Sequence, residues 1–155
     1  MIDLKEESTT IKFKKINVPF MILMSNITLG IYVPYWILKR KVDFMKMEKN
    51  NTIPFNAVKM VFFIYLLLAV LFIISPLFLT DYGLELKNSF DHIVTFYSLG
   101  IIMYTIFRIR ETINDYLEEE VIKAVPLFLF HIWYLQYKIN RSLINRGDEN
   151  EKKIS

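Results

Sequence analysis

The chain has 155 residues, 54% of them hydrophobic, with a mean hydropathy of +0.31 and a net charge of +3. A soluble domain of this length sits nearer about 45–50% apolar. The excess here falls into four blocks separated by charged segments, a pattern that argues against an ordinary soluble domain and for a single multi-pass unit. There is no cysteine, which excludes a disulfide framework, a thiolate nucleophile and a Cys-ligated metal.

Residues 1–15 are polar and mixed in charge and read as a basic N-terminal tail. They do not read as part of a signal peptide, because the apolar run that follows is too long for an h-region and lacks a small-x-small cleavage site. That run, block one (residues 16–38), carries no charge and has the length of a span. Its interior nevertheless holds Ser25, Asn26, Thr28, Gly30 and Pro34. Gly30 supplies conformational freedom and Pro34 removes a helix donor. Broken backbone survives at membrane depth only when protein or a wet cavity covers it. The stretch Thr28, Gly30, Tyr32, Pro34, Trp36 is therefore expected either to turn the chain back on itself or to kink a spanning helix, with Asn26 and Thr28 bonding the freed backbone.

Block two (60–80) has no charge over 21 residues and holds 15 Val, Leu, Ile or Phe. At about 1.5 Å per residue it is roughly 31 Å long, a bilayer's hydrocarbon thickness. Those side chains favour insertion by roughly 4–9 kcal/mol. A polar loop, 81–91, follows it. Block three (93–107) is shorter, and Phe90 before it and snorkelling Arg108 and Arg110 after it can extend it to a span. After Phe107 a helix continues through Ile109, Ile113, Tyr116, Leu117 and Val121 at three- and four-residue steps, with Glu119 placed to pair with Lys123. Glu118, Glu119 and Glu120 read as a solvated face. Block four (124–137) has the length of a re-entrant or interfacial segment. Residues 141–155 read as a disordered polar tail.

The cations decide between topologies. If all four blocks span, the 19 Lys and Arg divide 10 to 9 across the membrane. If block one spans from outside together with blocks two and three, and block four returns, the split is 14 to 5. If only blocks two and three span, Lys87 alone lies outside and the other 18 share one side. The positive-inside rule favours this last arrangement, with both termini cytoplasmic.

Two segments resemble each other, Trp36 to Asp43 and Trp133 to Asn140. Both read Trp-x-Leu-x-x-Lys-[Val/Ile]-[Asp/Asn]. Phe107 to Asn114 is a looser copy, and Ser98-Leu99-Gly100-Ile101 ahead of it echoes Thr28-Leu29-Gly30-Ile31. Trp36, Lys41 and Asp43 in one copy, and Trp133, Gln136, Lys138 and Asn140 in the other, are expected at an interface. There an aromatic sits at headgroup level and cations face anionic lipid. Asp43 and Asn140 are placed to bond backbone or each other.

No P-loop, dinucleotide fingerprint, zinc-protease motif or nucleophile elbow occurs. His131, in block four, reads as a packed or hydrogen-bonded residue, and His92 as interfacial. No catalytic, cofactor or metal residue is assigned, and no nucleic-acid partner is expected. The four blocks contain no Asp, Glu, Lys or Arg, which weighs against a proton-coupled carrier.

The run "ITLGIYVPYW", followed by basic sequence and a later "YLQYKIN", resembles the domain-of-unknown-function family 4234. The matching positions are Thr28, Leu29, Gly30, Ile31, Tyr32, Tyr35, Trp36, Gln136 and Asn140. The resemblance implies a small multi-pass membrane protein of bacteria or archaea and assigns no activity. The expected fold is an all-α membrane bundle over residues 16–140, with two clear spanning helices and two broken segments. The expected function is non-enzymatic, the binding of anionic lipid or of a membrane partner, a second copy included, through a basic cytoplasmic interface. A small oligomeric channel or transporter is the alternative.

Overall fold

The computed structural model describes residues 15–48 and 52–144. Among them there are six α-helices and no strand. These are α1 (Val18–Ile27), α2 (Tyr32–Lys39), α3 (Lys41–Met47), α4 (Phe55–Phe78), α5 (Asp81–Leu117) and α6 (Ala124–Ile139). A π-helical turn, Asn140–Ile144, follows α6. The polar tails fall largely outside the described residues. The helical part runs past residue 141, where the tail was expected to begin.

Block two becomes α4, 24 residues or about 36 Å long. Pro76 sits two residues from its end, where a lost donor disturbs little. Block three is only part of α5. This helix has 37 residues and begins at Asp81, so the expected 81–91 loop is helical. The connection shrinks to Leu79 and Thr80, and the Thr80 side chain caps α5 by accepting from Gly83 N. Helices α4 and α5 therefore form an antiparallel hairpin.

The core sits at one end of that hairpin. Trp36, Ile37, Phe44, Ile106, Ile109, Ile113, Leu127, Ile132, Leu135 and Ile139 are buried there around the first turns of α4 and the second half of α5. Toward Leu79 and Thr80 the hairpin is nearly bare. Only 11% of the most apolar stretch of α4, and 28% of that of α5, is buried. Both helices are long and apolar enough to cross a membrane.

The other two apolar blocks are broken. Block one is two short helices separated by a tight turn at 28–31. Block four is α6, whose helical path is interrupted at His131 (φ 46°, ψ −132°). Helix α5 ends earlier than the apolar spacing predicts. Glu118 takes a left-handed conformation (φ 54°) and Val121 is not helical. An i,i+4 Glu119–Lys123 pair therefore has no helix to sit on. Arg110 and Asn114 organise the connection to α6 instead. Arg110 Nε donates to Ile122 O (2.7 Å) and Arg110 Nη2 reaches Glu120 (2.6 Å). The Asn114 amide pairs with both the N–H and the C=O of Ile122.

Candidate functional site

The turn of block one satisfies its own backbone. Thr28 N donates to Met24 O, Leu29 N to Asn26 O, Gly30 N to Ser25 O and Ile31 N to Thr28 O. Thr28 Oγ1 then accepts from Tyr32 N (3.0 Å), which closes the first turn of α2. The expected role of Thr28 is therefore met. Asn26 instead donates back to Ile22 O within α1. The reversal needs two positive φ values, Leu29 (50°) and Gly30 (87°). Glycine adopts such a conformation without steric cost, whereas a side chain strains it. Gly30 faces the ring of Tyr65, halfway along α4. Pro34 does not break a helix. It lies in the first turn of α2, where an N–H would have no helical partner. Tyr32 packs against Tyr35, and Tyr35 against Phe62 of α4.

At the other end of this small hairpin, block one is tied to block four. Trp36 Nε1 donates to Gln136 Oε1 (3.1 Å) across 100 residues of sequence, and Gln136 is fully buried. Gln136 Nε2 donates to Asn140 Oδ1. Asn140 Nδ2 donates to Ile16 O (2.7 Å), and Asn140 Oδ1 accepts from Ile16 N. One side-chain chain thus fastens the start of α1, the middle of α2 and the end of α6. The Arg40 guanidinium stacks on the Trp36 ring, 4.7 Å from its centroid. Burial lowers the pKa of Arg40 to about 10, against the opposing pull of Asp43 and Tyr32. It stays charged at neutral pH.

The two sequence copies are not structural equivalents. Trp36 is buried and bonded. Trp133 is partly buried, and its Nε1 has no hydrogen-bond partner among the described residues. Val42 is exposed, whereas its counterpart Ile139 is in the core. Lys41 lies over the Phe55 ring and Lys138 over Tyr134, both at the edge of the core. Asp43 lies beside Arg40, and Asn140 bonds the Ile16 backbone rather than Asp43. The looser third copy and Gly100 lie inside α5, with no break there. His131 is half-buried and makes no side-chain hydrogen bond among the described residues.

One pair escaped the sequence reading. Because residues 81–91 are helical and fold back along α4, Lys87 and Asp91 lie within the apolar hairpin. Lys87 Nζ is 2.6 Å from Asp91 Oδ2 and 5.8 Å from the centroid of the Phe72 ring. Helix α4 continues six residues beyond Phe72. The available signal was the i,i+4 spacing of Lys87 and Asp91. The local charge density hid it by reading as a loop.

The Trp36–Gln136–Asn140 chain holds elements together and presents no nucleophile beside a base. Among the described residues no group of three His, Asp or Glu could hold a metal ion. No curated protein and no solved structure matches the chain. The family model Domain of unknown function (DUF4234) matches residues 16–144, a stretch that contains every bond of the turn and of this Trp36–Gln136–Asn140 latch. The chain belongs to the DUF4234 family.

Proposed function

We propose that this is a non-enzymatic integral membrane protein that crosses the bilayer with α4 and α5 and binds anionic lipid at its core end. The bare apolar hairpin carries the reading. Ile73, Leu77 and Phe78 are each more than 70% exposed. Such a surface is unfavourable in water and ordinary in lipid. Charge sets the orientation. Lys39, Arg40, Lys41, Lys46, Lys59, Arg108 and Arg110 cluster at the core end, while the first turns of α5 carry Asp81, Glu85 and Asp91 against Lys87 alone. The positive-inside rule then places the core end in the cytoplasm. The broken segments α1–α2 and α6 become re-entrant elements covered by α4 and α5.

Two measurements test this. Single cysteines at Met45, Tyr82, Glu119 and Arg141 are treated with a membrane-impermeant maleimide in intact cells. Only the Tyr82 position, beside the α4–α5 connection, is expected to react, and reaction at any other overturns the topology. Thermal unfolding in neutral detergent is then followed with added phosphatidylglycerol or phosphatidylcholine. The anionic lipid is expected to stabilise the protein at low salt, with the effect lost at about 0.5 M salt and in a Lys39, Lys41, Lys46→Gln variant. Equal shifts with both lipids overturn the lipid reading. A channel or carrier is the second reading, supported by the Lys87–Asp91 pair beside the broken α1–α2 tip. Ion or solute flux in liposomes, absent in the Asp91→Asn variant, is its expected sign.

A further inference from the structure

A cavity of about 340 Å³ opens where the α1–α2 tip meets the hairpin. Its walls include Leu29 and Gly30 from the tip, Tyr65 and Phe72 from α4, and Asp91 and Thr95 from α5. Two aromatic side chains and small apolar groups surround one carboxylate. A pocket of this size and lining suits a small ligand with an apolar body. The carboxylate specifies the charge that ligand carries.

The chain's own Lys87 shows what this wall accepts. Its ammonium contacts two of the cavity's lining residues, pairing with Asp91 and lying on the ring of Phe72. The Lys87 side chain is 12% exposed and that of Asp91 is 23% exposed. Such a pair is a poor helix staple. The favourable i,i+4 order sets the acid N-terminal to the base, and here the base comes first. An ion pair drawn away from water adds little stability as a rule. On the membrane placement above, Phe72 lies about 9 Å below the end of α4. Ionisable groups at such depth mark binding or transport sites more often than structural ones.

We infer that this cavity binds a monovalent lipophilic organic cation, which displaces the Lys87 ammonium from Asp91 and rests on the Tyr65 and Phe72 rings. The carboxylate supplies the charge contact and the rings supply cation–π and apolar contact. Lys87 is the internal competitor that keeps Asp91 paired when the site is empty. The cavity opens between elements that belong to different segments, so its shape depends on the seating of the α1–α2 tip against Tyr65.

The test uses benzyltrimethylammonium, a quaternary cation with one ring, and its neutral isostere neopentylbenzene. Binding to the full chain in phosphatidylcholine nanodiscs is followed by equilibrium dialysis. One saturable site is expected for the cation and none for the isostere. Lys87→Met removes the competitor and is expected to tighten binding about tenfold, while Asp91→Asn is expected to weaken it by at least about tenfold. The double variant removes both charges, stays neutral if the single variant fails to fold, and is expected to bind neither probe. Equal binding of cation and isostere overturns the inference. So does unchanged binding in the Asp91→Asn or double variant, or no saturable site in the wild type and Lys87→Met together. Maleimide labelling at Tyr82 reports the membrane placement separately, so the two failures are distinguishable.

Discussion

Gln136→Leu removes the middle of the chain that fastens blocks one and four while nearly preserving volume. Gln136 is fully buried, so no water replaces what is lost. Trp36 Nε1, bonded at 3.1 Å, becomes a buried donor with no acceptor, which costs about 1–3 kcal/mol. Asn140 Oδ1 loses the Gln136 donor but keeps Ile16 N, and its Nδ2 keeps Ile16 O, so its contribution is smaller. The expected total is about 2 kcal/mol, or roughly 4–8 °C in melting temperature for a chain of this size. Trp36→Phe makes the complementary cut, orphaning Gln136 Oε1 and removing indole area beneath Arg40. The double variant Trp36→Phe with Gln136→Leu removes donor and acceptor together. It is expected to be about 1 kcal/mol more stable than the sum of the single losses. Unfolding in neutral detergent, followed by tryptophan fluorescence through Trp133, measures all four proteins. A Gln136→Leu loss under about 0.5 kcal/mol, or strict additivity of the two changes, refutes the account of the latch.

Changes at four further positions test local backbone and loop geometry. Gly30→Ala forces a side chain into a φ of 87°. The added Cβ meets Tyr65 only at an ordinary 3.6 Å, so the expected loss of about 1–2 kcal/mol is backbone strain alone. Leu29→Gly relieves a φ of 50° at an exposed side chain, so the melting temperature is not expected to fall. His131→Gly suits a conformation that glycine reaches freely and is expected to stabilise by about 1 kcal/mol, whereas His131→Val destabilises, both by thermal unfolding. Asn114→Ala removes both bonds to the Ile122 backbone. Hydrogen exchange at the Ile122 amide is expected to quicken at least about tenfold, in line with a loss of about 1–3 kcal/mol.

Periodicity and charge placed α4 and located the break in block one, because each signal was local. Thr28, Gly30 and Pro34 fall where a continuous helix tolerates them poorly, and the observed turn uses the Thr28 hydroxyl and the φ of Gly30. The start of α5 was hidden by composition. Residues 81–91 hold four charges and a glycine, yet Thr80 caps them and the α4 surface carries them as helix. The pairing of Trp36 with Gln136 spans 100 residues, and no local pattern encodes it. The His131 break has no sequence signal at all, since a histidine stands where glycine would fit. The two Trp-x-Leu copies show the opposite error. Their letters match, but α2 ends at Lys39 while α6 continues through Ile139, so equivalent positions face opposite environments.

These features meet in the α1–α2 hairpin. A broken segment at depth must satisfy its own polar backbone, and the bonds at residues 28–32 do so without help from a neighbour. The hairpin is compact, its two helices ten and eight residues long, and Met21, Trp36 and Ile37 are buried in the core. Attachment comes at both extremities. At the base, Trp36 and Ile16 are held by Gln136 and Asn140. At the tip, Gly30 rests on Tyr65, and a larger residue there would be strained whatever the space. The hairpin is therefore a strut between the basic core end and the Lys87–Asp91 cavity, about 15 Å long by the rise of α1. A side chain of usual conformation at position 30, or an apolar residue at position 136, acts on the same element from opposite ends. Thr28, Gly30, Trp36, Gln136 and Asn140, dispersed in sequence, thus belong to one mechanical unit.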